Sequence, residues 1–168
     1  MAVAYILFGS NLGNREEYAG KAREFLEKED NINILRESNW YKSSPVDMDS
    51  DEWFLNFVWE VDTDLSPYEL LDKLLGIEAR IGRKRKDIEG YQPREIDLDI
   101  ELYNNKIIKD NDKLVIPHPE LSNRKFALKS ICDLIPEYVH PEIDETLESL
   151  LNKGDFPGQQ VELWLKNK

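Results

Sequence analysis

Acidic and aliphatic side chains alternate in the segment 95–102, which reads EIDLDIEL. On a β-strand, Asp97, Asp99 and Glu101 share one face, and the aliphatic side chains from Ile96 to Leu102 share the other. Two aspartates at positions i and i+2 repel each other unless a cation lies between them, and hard carboxylate oxygens suit Mg²⁺. The pattern therefore predicts Asp97 and Asp99 as magnesium ligands; the alternative is the solvated edge of an amphipathic sheet.

Positive charge is concentrated directly before this acidic segment. Residues 80–94 carry six basic side chains and two acidic ones, in a protein whose net charge is −12. Guanidinium groups bind phosphate oxygens, and carboxylates that hold Mg²⁺ accompany them where phosphoryl groups are transferred. A solvated helix C-terminus explains Arg80 and Arg83 but not four consecutive cations at 83–86. The two segments together predict a site for a compact polyanion.

The same sequence excludes several classes of protein. It contains neither a Walker A motif nor the protein-kinase signature motifs. Its acidity argues against a nucleic-acid partner, because phosphate neutralisation drives that affinity. Cys132 is the single cysteine, so no disulfide forms within the chain. No apolar run approaches the ~20 residues of a membrane span, and the N-terminus does not resemble a signal peptide. We expect a cytoplasmic monomer with small-molecule partners.

The hydrophobic pattern predicts the scaffold that positions these residues. Apolar and β-branched runs predict strands at about 3–8, 32–42, 54–61 and 95–103. Helical periodicity predicts helices at about 14–28, 66–81, 123–135 and 145–152. The best helix start is Ser66-Pro67-Tyr68-Glu69, which has an N-cap, a first-turn proline and a capping-box glutamate.

The order of these elements predicts the fold class. The first six run strand, helix, strand, strand, helix, strand, which is the βαββαβ order of ferredoxin-like α+β folds. A hairpin after the turn at 104–105 and the C-terminal helices are expected to enlarge that sheet and cover it. With 168 residues and no low-complexity linker, the chain is predicted to form one domain over 1–168.

Five single residues carry weaker signals. Gly9 follows the first strand, where backbone amides are able to meet a ligand, although such glycines usually form a turn. Asn56 interrupts an apolar strand, and a buried asparagine is more often satisfied by backbone than by substrate. Phe54 and Phe126 are core residues by default, and His118 is by default an exposed loop histidine.

Taken in order, these segments resemble one family, the 6-hydroxymethyl-7,8-dihydropterin pyrophosphokinases of folate biosynthesis. The resemblance is spread over residues 1–136, and the C-terminal helix and tail, about 145–168, lie outside it. Its most specific motif is PREIDLDI at 93–100. The other matching segments are GSNLG at 9–13, YKSSP at 41–45, FLN at 54–56, Glu78, GRKR at 82–85, PHP at 117–119, Arg124 and Phe126.

The resemblance implies an activity and a set of site residues. It implies transfer of pyrophosphate from ATP to the 6-hydroxymethyl oxygen of the pterin, with release of AMP. It also implies a three-layer α/β/α sandwich around a mainly antiparallel sheet, and two Mg²⁺ ions on Asp97 and Asp99. The implied catalytic residues are Arg83, Arg94, Asp97 and Asp99; those at ATP are Glu78, Arg85, Lys113, His118 and Arg124; those at the pterin are Gly9, Ser43, Val46, Phe54, Asn56 and Phe126.

Two other functions stay open at this point. A metal-dependent nucleotidyltransferase or nuclease on a ferredoxin-like core would share Asp97 and Asp99, but it has no need of Asn56 between aromatic residues and favours a more basic surface. A non-catalytic pterin- or nucleotide-binding protein would make the aspartate pair incidental. The presence of Arg83 and Arg94 together with both aspartates argues against this non-catalytic binding function.

Overall fold

Eight strands and four α-helices lie within the residues that the computed structural model describes, which are 1–45, 52–82 and 96–165. The strands are β1 (Ala2–Ser10), β2 (Ile32–Glu37), β3 (Tyr41–Ser43), β4 (Phe54–Thr63), β5 (Asp97–Tyr103), β6 (Ile108–Asp110), β7 (Leu114–Ile116) and β8 (Val161–Leu163). The helices are α1 (Arg15–Glu27), α2 (Pro67–Gly82), α3 (Lys125–Cys132) and α4 (Leu147–Lys153), with a 3-10 turn at Leu121–Asn123.

Six of these strands form one antiparallel sheet. Its order is β5-β1-β4-β3-β8, and β2 pairs with β4 beside β3. The central strand β1 therefore lies between β4 and β5, which are the third and fourth strands of a ferredoxin-like core. The predicted α+β class with a mainly antiparallel sheet is confirmed.

Helices cover both faces of the sheet and give it three layers. One face packs against α1 and α2 through Phe8, Phe57 and Trp59, whose rings contact one another at centroid distances of 4.7 to 6.0 Å. The opposite face packs against α3 and α4 around Leu7 and Leu128. Burying each large apolar side chain contributes roughly 1.5–3 kcal/mol, so both helix layers are held mainly by the hydrophobic effect.

The start of α2 has the predicted capping box. The Ser66 backbone N–H donates to the Glu69 carboxylate at 2.9 Å, and the Glu69 N–H donates to the Ser66 hydroxyl at 3.2 Å. Pro67 is the first helical residue, and the helix ends at Gly82. This start fixes the register of α2 and so determines where Glu78 meets the sheet.

Within the described residues, no helix is long and apolar enough to cross a bilayer.

The predicted strand at 32–42 is divided into β2 and β3. Ser38 causes the break, because its hydroxyl accepts the Val58 backbone N–H at 2.9 Å in place of a main-chain carbonyl. The following Trp40 stacks on Phe57 with a centroid distance of 4.8 Å. The break allows β3 to continue along β4 toward Ser43 in a separate register.

The expected hairpin does not enlarge the main sheet. Strands β6 and β7 pair only with each other in a separate two-stranded sheet. Asn104 has a φ of 48°, and its side chain accepts the Val3 N–H at 2.8 Å while its own N–H donates to the Val3 carbonyl. These bonds end β5 and direct the chain away from the sheet. The strand that does enlarge the sheet is β8, in the C-terminal tail.

Candidate active site

A cavity of about 400 Å³ opens where β1, β3, β4 and β5 meet the start of α3. It is bounded by two aromatic rings, two aspartates and several amide and hydroxyl groups. Many of the residues predicted from sequence meet here. The described lining residues are Leu7, Gly9, Ser43, Ser44, Phe54, Asn56, Asp97, Asp99, Glu120, Asn123, Arg124, Phe126 and Gln159.

Asn56 is held at the floor of the cavity by the strands on either side of it. It pairs with Gly9 of β1 and with Tyr41 of β3, and it is only 2% exposed. Its amide nitrogen donates to the Ser43 hydroxyl at 2.5 Å. A Cβ atom at Gly9 would lie 3.3 Å from the Asn56 amide oxygen, so glycine gives this amide its room. A fixed amide of this kind orients a polar ring edge.

Two aromatic side chains provide apolar walls. Phe54 begins β4 opposite Ser43, and Phe126 lies in the first turn of α3. Both are only partly buried, and both line the cavity. The Arg124 guanidinium lies 5.3 Å from the centroid of the Phe126 ring. Apolar ring walls with a few fixed polar groups suit a flat heteroaromatic ligand.

Asp97 and Asp99 extend from β5 into the same cavity. They pair with Gly9 and Leu7 of β1, and both side chains are partly exposed. Between them, the Leu98 N–H donates to the Glu78 carboxylate at 2.6 Å, which ties β5 to α2. Two carboxylates on one face of a strand, open to solvent and to a ligand, fit the donor set that Mg²⁺ takes in phosphate sites.

A β-bulge at the end of β5 changes the predicted orientation of one side chain. Ile6 pairs with Ile100 while Tyr5 pairs with Leu102, so Glu101 is skipped in the register. Leu102 consequently packs with the α3 and α4 layer, and its predicted position beside Ile100 is wrong. The extra residue places Glu101 inside the protein, beside Asp99.

Glu101 is a buried carboxylate with incomplete hydrogen bonding. It is 0% exposed; one oxygen lies 3.4 Å from the Arg124 guanidinium, and the other has no hydrogen-bond partner within the described residues. Burial, with Asp99 adding to it, raises the pKa of Glu101 to about 8, although Arg124 opposes the shift. Burying a carboxylate with an oxygen that lacks a hydrogen-bond partner lowers the free energy of unfolding.

His118 is neutral at physiological pH. Burial and then the nearby Arg124 charge lower its pKa to about 4. The Glu120 N–H donates to Nδ1 at 3.1 Å, and Nε2 lies 3.2 Å from Arg124 Nη2 and 3.9 Å from an Asp99 oxygen. The His118 backbone N–H also donates to the Glu101 carbonyl at 2.9 Å. These contacts fix the ring beside the aspartates.

Asp99, Glu101 and His118 offer ligand atoms that lie within 4.8 Å of one another. The Arg124 guanidinium already supplies positive charge here, with Nη2 at 3.0 Å from His118 Nδ1 and 3.4 Å from Glu101. This arrangement leaves the partly exposed pair Asp97 and Asp99 as the better candidates for a divalent cation.

A second cavity of about 250 Å³ lies on the other side of Asp99. Lys113 and His118 line it, together with residues from β5, β7 and the connecting loops. The Lys113 ammonium lies 5.6 Å from the centroid of the Tyr68 ring. Asp99 lines both cavities, so it stands at the boundary between them.

The predicted site residues fall into four groups. The first cavity brings together the predicted pterin-side residues Gly9, Ser43, Phe54, Asn56 and Phe126 with Asp97, Asp99 and Arg124, while the second holds Lys113 and His118. Glu78 holds β5 and is not among the described residues that line either cavity. Four predictions, Val46, Arg83, Arg85 and Arg94, lie outside the described residues.

Sequence reasoning gave no site role to Glu101 or to Gln159. The alternation along β5 placed Glu101 on the face of the aspartates, but only the bulge explains its burial. Gln159 lies in the tail, and no local pattern distinguishes it from Gln160 beside it.

Comparison with known proteins agrees with this geometry. The family model described as 7,8-dihydro-6-hydroxymethylpterin-pyrophosphokinase (HPPK) matches residues 5–136. The 2-amino-4-hydroxy-6-hydroxymethyldihydropteridine pyrophosphokinase of Bacillus subtilis is 36% identical over 132 residues, which cover 79% of this chain and 77% of that protein. The folic acid synthesis protein fol1 of Schizosaccharomyces pombe is 36% identical over 162 residues, 96% of this chain but 21% of its own length.

Other similar proteins are also longer than this chain. The chain covers 38% of the bifunctional protein FolKE of Lactococcus lactis, with 41% identity. Wild-type Plasmodium falciparum HPPK-DHPS, solved with pteroate, superposes with a TM-score of 0.70 at 17% identity, covering 90% of this chain and 44% of that one. That structural likeness supports the fold. The family match over 5–136 and the identity to the Bacillus enzyme show that the chain belongs to the HPPK family.

Proposed function

We propose that this protein transfers the β,γ-pyrophosphoryl group of ATP to the hydroxymethyl oxygen of 6-hydroxymethyl-7,8-dihydropterin and releases AMP, with Mg²⁺ required. The family and the names of its relatives support pyrophosphoryl transfer in folate biosynthesis. The identity of the donor, the leaving nucleotide and the metal is part of the proposal.

The observation that carries the proposal is the position of Asp99 between two cavities. The larger cavity has the aromatic walls and the fixed amide of Asn56, and the smaller one has Lys113 and neutral His118. A transfer reaction needs two ligands that meet at a point where charge is neutralised. The boundary at Asp99 is such a point.

The larger cavity suits the pterin. Its ring system is flat and apolar on both faces, and Phe54 and Phe126 offer surfaces on which such a ring stacks. Its edge carries donors and acceptors that match the Asn56 amide oxygen and the hydroxyl of Ser43. In this proposal the hydroxymethyl substituent would face Asp97 and Asp99, which line the same cavity.

The smaller cavity, lined by Lys113 and His118, suits the nucleotide phosphates, and Arg124 contacts His118 from the side of the larger cavity. Guanidinium and ammonium groups bind phosphate oxygens, and His118, whose pKa burial lowers to about 4, adds no further charge. Arg83, Arg85 and Arg94 would add positive charge from the basic segment. Asp97 and Asp99 would hold Mg²⁺, which neutralises phosphate charge as the transfer proceeds.

The proposed step is an in-line displacement at the β-phosphorus. A bond forms between the hydroxymethyl oxygen and the β-phosphorus, and the bond to the oxygen that bridges the α- and β-phosphorus breaks. AMP leaves with that oxygen, and the hydroxyl proton passes to solvent. Positioning and charge neutralisation contribute more to such a step than a strong base does.

A product assay tests this proposal. Purified protein is mixed with ATP, Mg²⁺ and 6-hydroxymethyl-7,8-dihydropterin, and the nucleotides are resolved by chromatography. We expect AMP in step with a pyrophosphorylated pterin, and no product when EDTA removes Mg²⁺. ADP in place of AMP would mean γ-phosphoryl transfer and a different enzyme. Tight pterin binding without turnover would favour the binding-protein function instead.

A further inference from the structure

Gln159 of the C-terminal tail lines the larger cavity, although the tail lies beyond residues 5–136, which the family model matches. We call residues 156–163 the C-terminal strap. The strap pairs with β3 through β8, where Ser43 faces Val161. Ser44 makes two hydrogen bonds to the backbone of Gln160. Its N–H donates to the Gln160 carbonyl at 3.0 Å, and its hydroxyl accepts the Gln160 N–H at 3.0 Å.

Gln159 connects the strap to the opposite wall. Its side-chain oxygen accepts the Lys125 N–H at 2.9 Å, and its side-chain nitrogen donates to the Asn123 carbonyl at 2.9 Å. Lys125 is the first residue of α3, whose leading N–H groups have no partner within the helix. Arg124, at the N-cap position, makes no side-chain capping bond. Gln159 therefore caps α3 from a distant part of the chain.

The strap thus holds both sides of the cavity through one short segment. On one side it is bonded to β3, which carries Ser43 beside Asn56; on the other it is bonded to the turn that precedes Phe126. Gln159 also lines the cavity itself. The separation of the two walls therefore depends on these backbone and amide contacts.

We propose that Gln159 is a positioning residue for pterin binding, which holds the Phe126 wall of the cavity at a fixed position relative to the Ser43 wall. This inference rests on the proposed function, because the pterin is the ligand that needs both walls. A flat ring gains stacking only when the surface meets it within van der Waals contact, and a loosened wall forfeits that contact. Arg124 is also tied to Glu101 and His118, so the nucleotide side depends less on Gln159.

Two variants of Gln159 test this role, and a neighbouring residue provides the control. Gln159→Ala removes the amide and its bulk, and Gln159→Met keeps the length of the side chain but removes both hydrogen bonds. Gln160→Ala is the matched control, because Gln160 is exposed and holds Ser44 through its backbone. Titration calorimetry measures the Kd for 6-hydroxymethylpterin, the oxidised form of the proposed substrate, and separately the Kd for ATP with Mg²⁺.

We expect both Gln159 variants to raise the pterin Kd about tenfold, the scale of two lost hydrogen bonds of ordinary strength. The Kd for ATP should stay within about twofold, since the contacts of Arg124 remain. The Gln160→Ala control should bind both ligands as the wild type does. Rising pterin Kd with unchanged ATP Kd is a result that a merely structural role would not produce.

Three other outcomes would contradict the positioning role, and each has a different signature. Unchanged pterin Kd in both Gln159 variants would overturn the positioning role. Equal losses for pterin and ATP, accompanied by a lower Tm, would assign Gln159 to fold stability and also overturn it. Failure of the wild type to bind the pterin would refute the proposed substrate, and this inference would fall with it.

Discussion

Replacing Glu101 by glutamine should change how stability depends on pH. Glu101 is fully buried beside Asp99, with one oxygen lacking a hydrogen-bond partner in the described part of the chain, and burial raises its pKa from an ordinary value of 4.5 to about 8. Between these two values the folded protein retains a proton that the unfolded chain releases. The free energy of unfolding of the wild type must therefore fall as the pH rises through this window.

The expected magnitude follows from linkage. One proton retained on folding gives a slope that approaches about 1.4 kcal/mol per pH unit, and this slope levels off near pH 8. Glu101→Gln removes the titrating group. The stability of the variant relative to the wild type should therefore rise by about 2–3 kcal/mol between pH 5 and pH 7. The stability of the variant relative to the wild type increases toward higher pH because burial disfavours the ionised carboxylate of the wild type.

Urea unfolding at a series of pH values measures this difference. EDTA is present, so that no cation bound at Asp97 and Asp99 alters the titration. Glu137→Gln, which changes an exposed carboxylate, provides the control for surface charge. A stability difference that is constant with pH, or that falls as the pH rises, would refute the reasoning and show that Arg124 compensates the buried charge.

Three further predictions concern the site and the core. Asp99→Asn should lower the rate of AMP formation at least 10²–10³-fold, the scale of losing a preorganised charge contact, with unchanged circular dichroism; near-normal turnover would contradict the magnesium role. Asn56→Ala should weaken pterin binding by calorimetry and leave ATP binding unchanged, whereas equal losses would remove Asn56 from the pterin side. Burial raises the pKa of Cys132 to about 11, so iodoacetamide at pH 7.5 should label it roughly 10²-fold more slowly in the native protein than after denaturation, as followed by mass spectrometry; equally rapid labelling of the native protein would show an accessible thiolate.

Local sequence signals predicted the elements whose causes are local. The alternation of charged and aliphatic residues placed Asp97 and Asp99 on one face of β5, and the capping box at Ser66 and Glu69 placed the start of α2. Each depends on residues within a few positions of one another. Such patterns give both the type of an element and the face that it presents.

Features that depend on distant partners were not predictable in this way. The break after β2 requires the Val58 N–H, which reaches Ser38 only once the sheet has formed. The bulge that buries Glu101 depends on the pairing of β5 with β1, and sequence alternation alone gave Leu102 the wrong face. Gln159 acquires its partners on α3 only when the tail folds back along β3.

The register of the central strand has a consequence for how the site tolerates change. Gly9 pairs with Asn56 on one side and with Asp97 on the other, so these three residues lie in one row across the sheet. Two neighbouring strand spacings, about 9–10 Å in all, therefore separate the backbone of Asn56 from the backbone of Asp97. Main-chain hydrogen bonds set this separation. Substitutions in the helices and loops can accumulate without altering it, whereas a slip of β1 by a single residue would disrupt both halves of the site together.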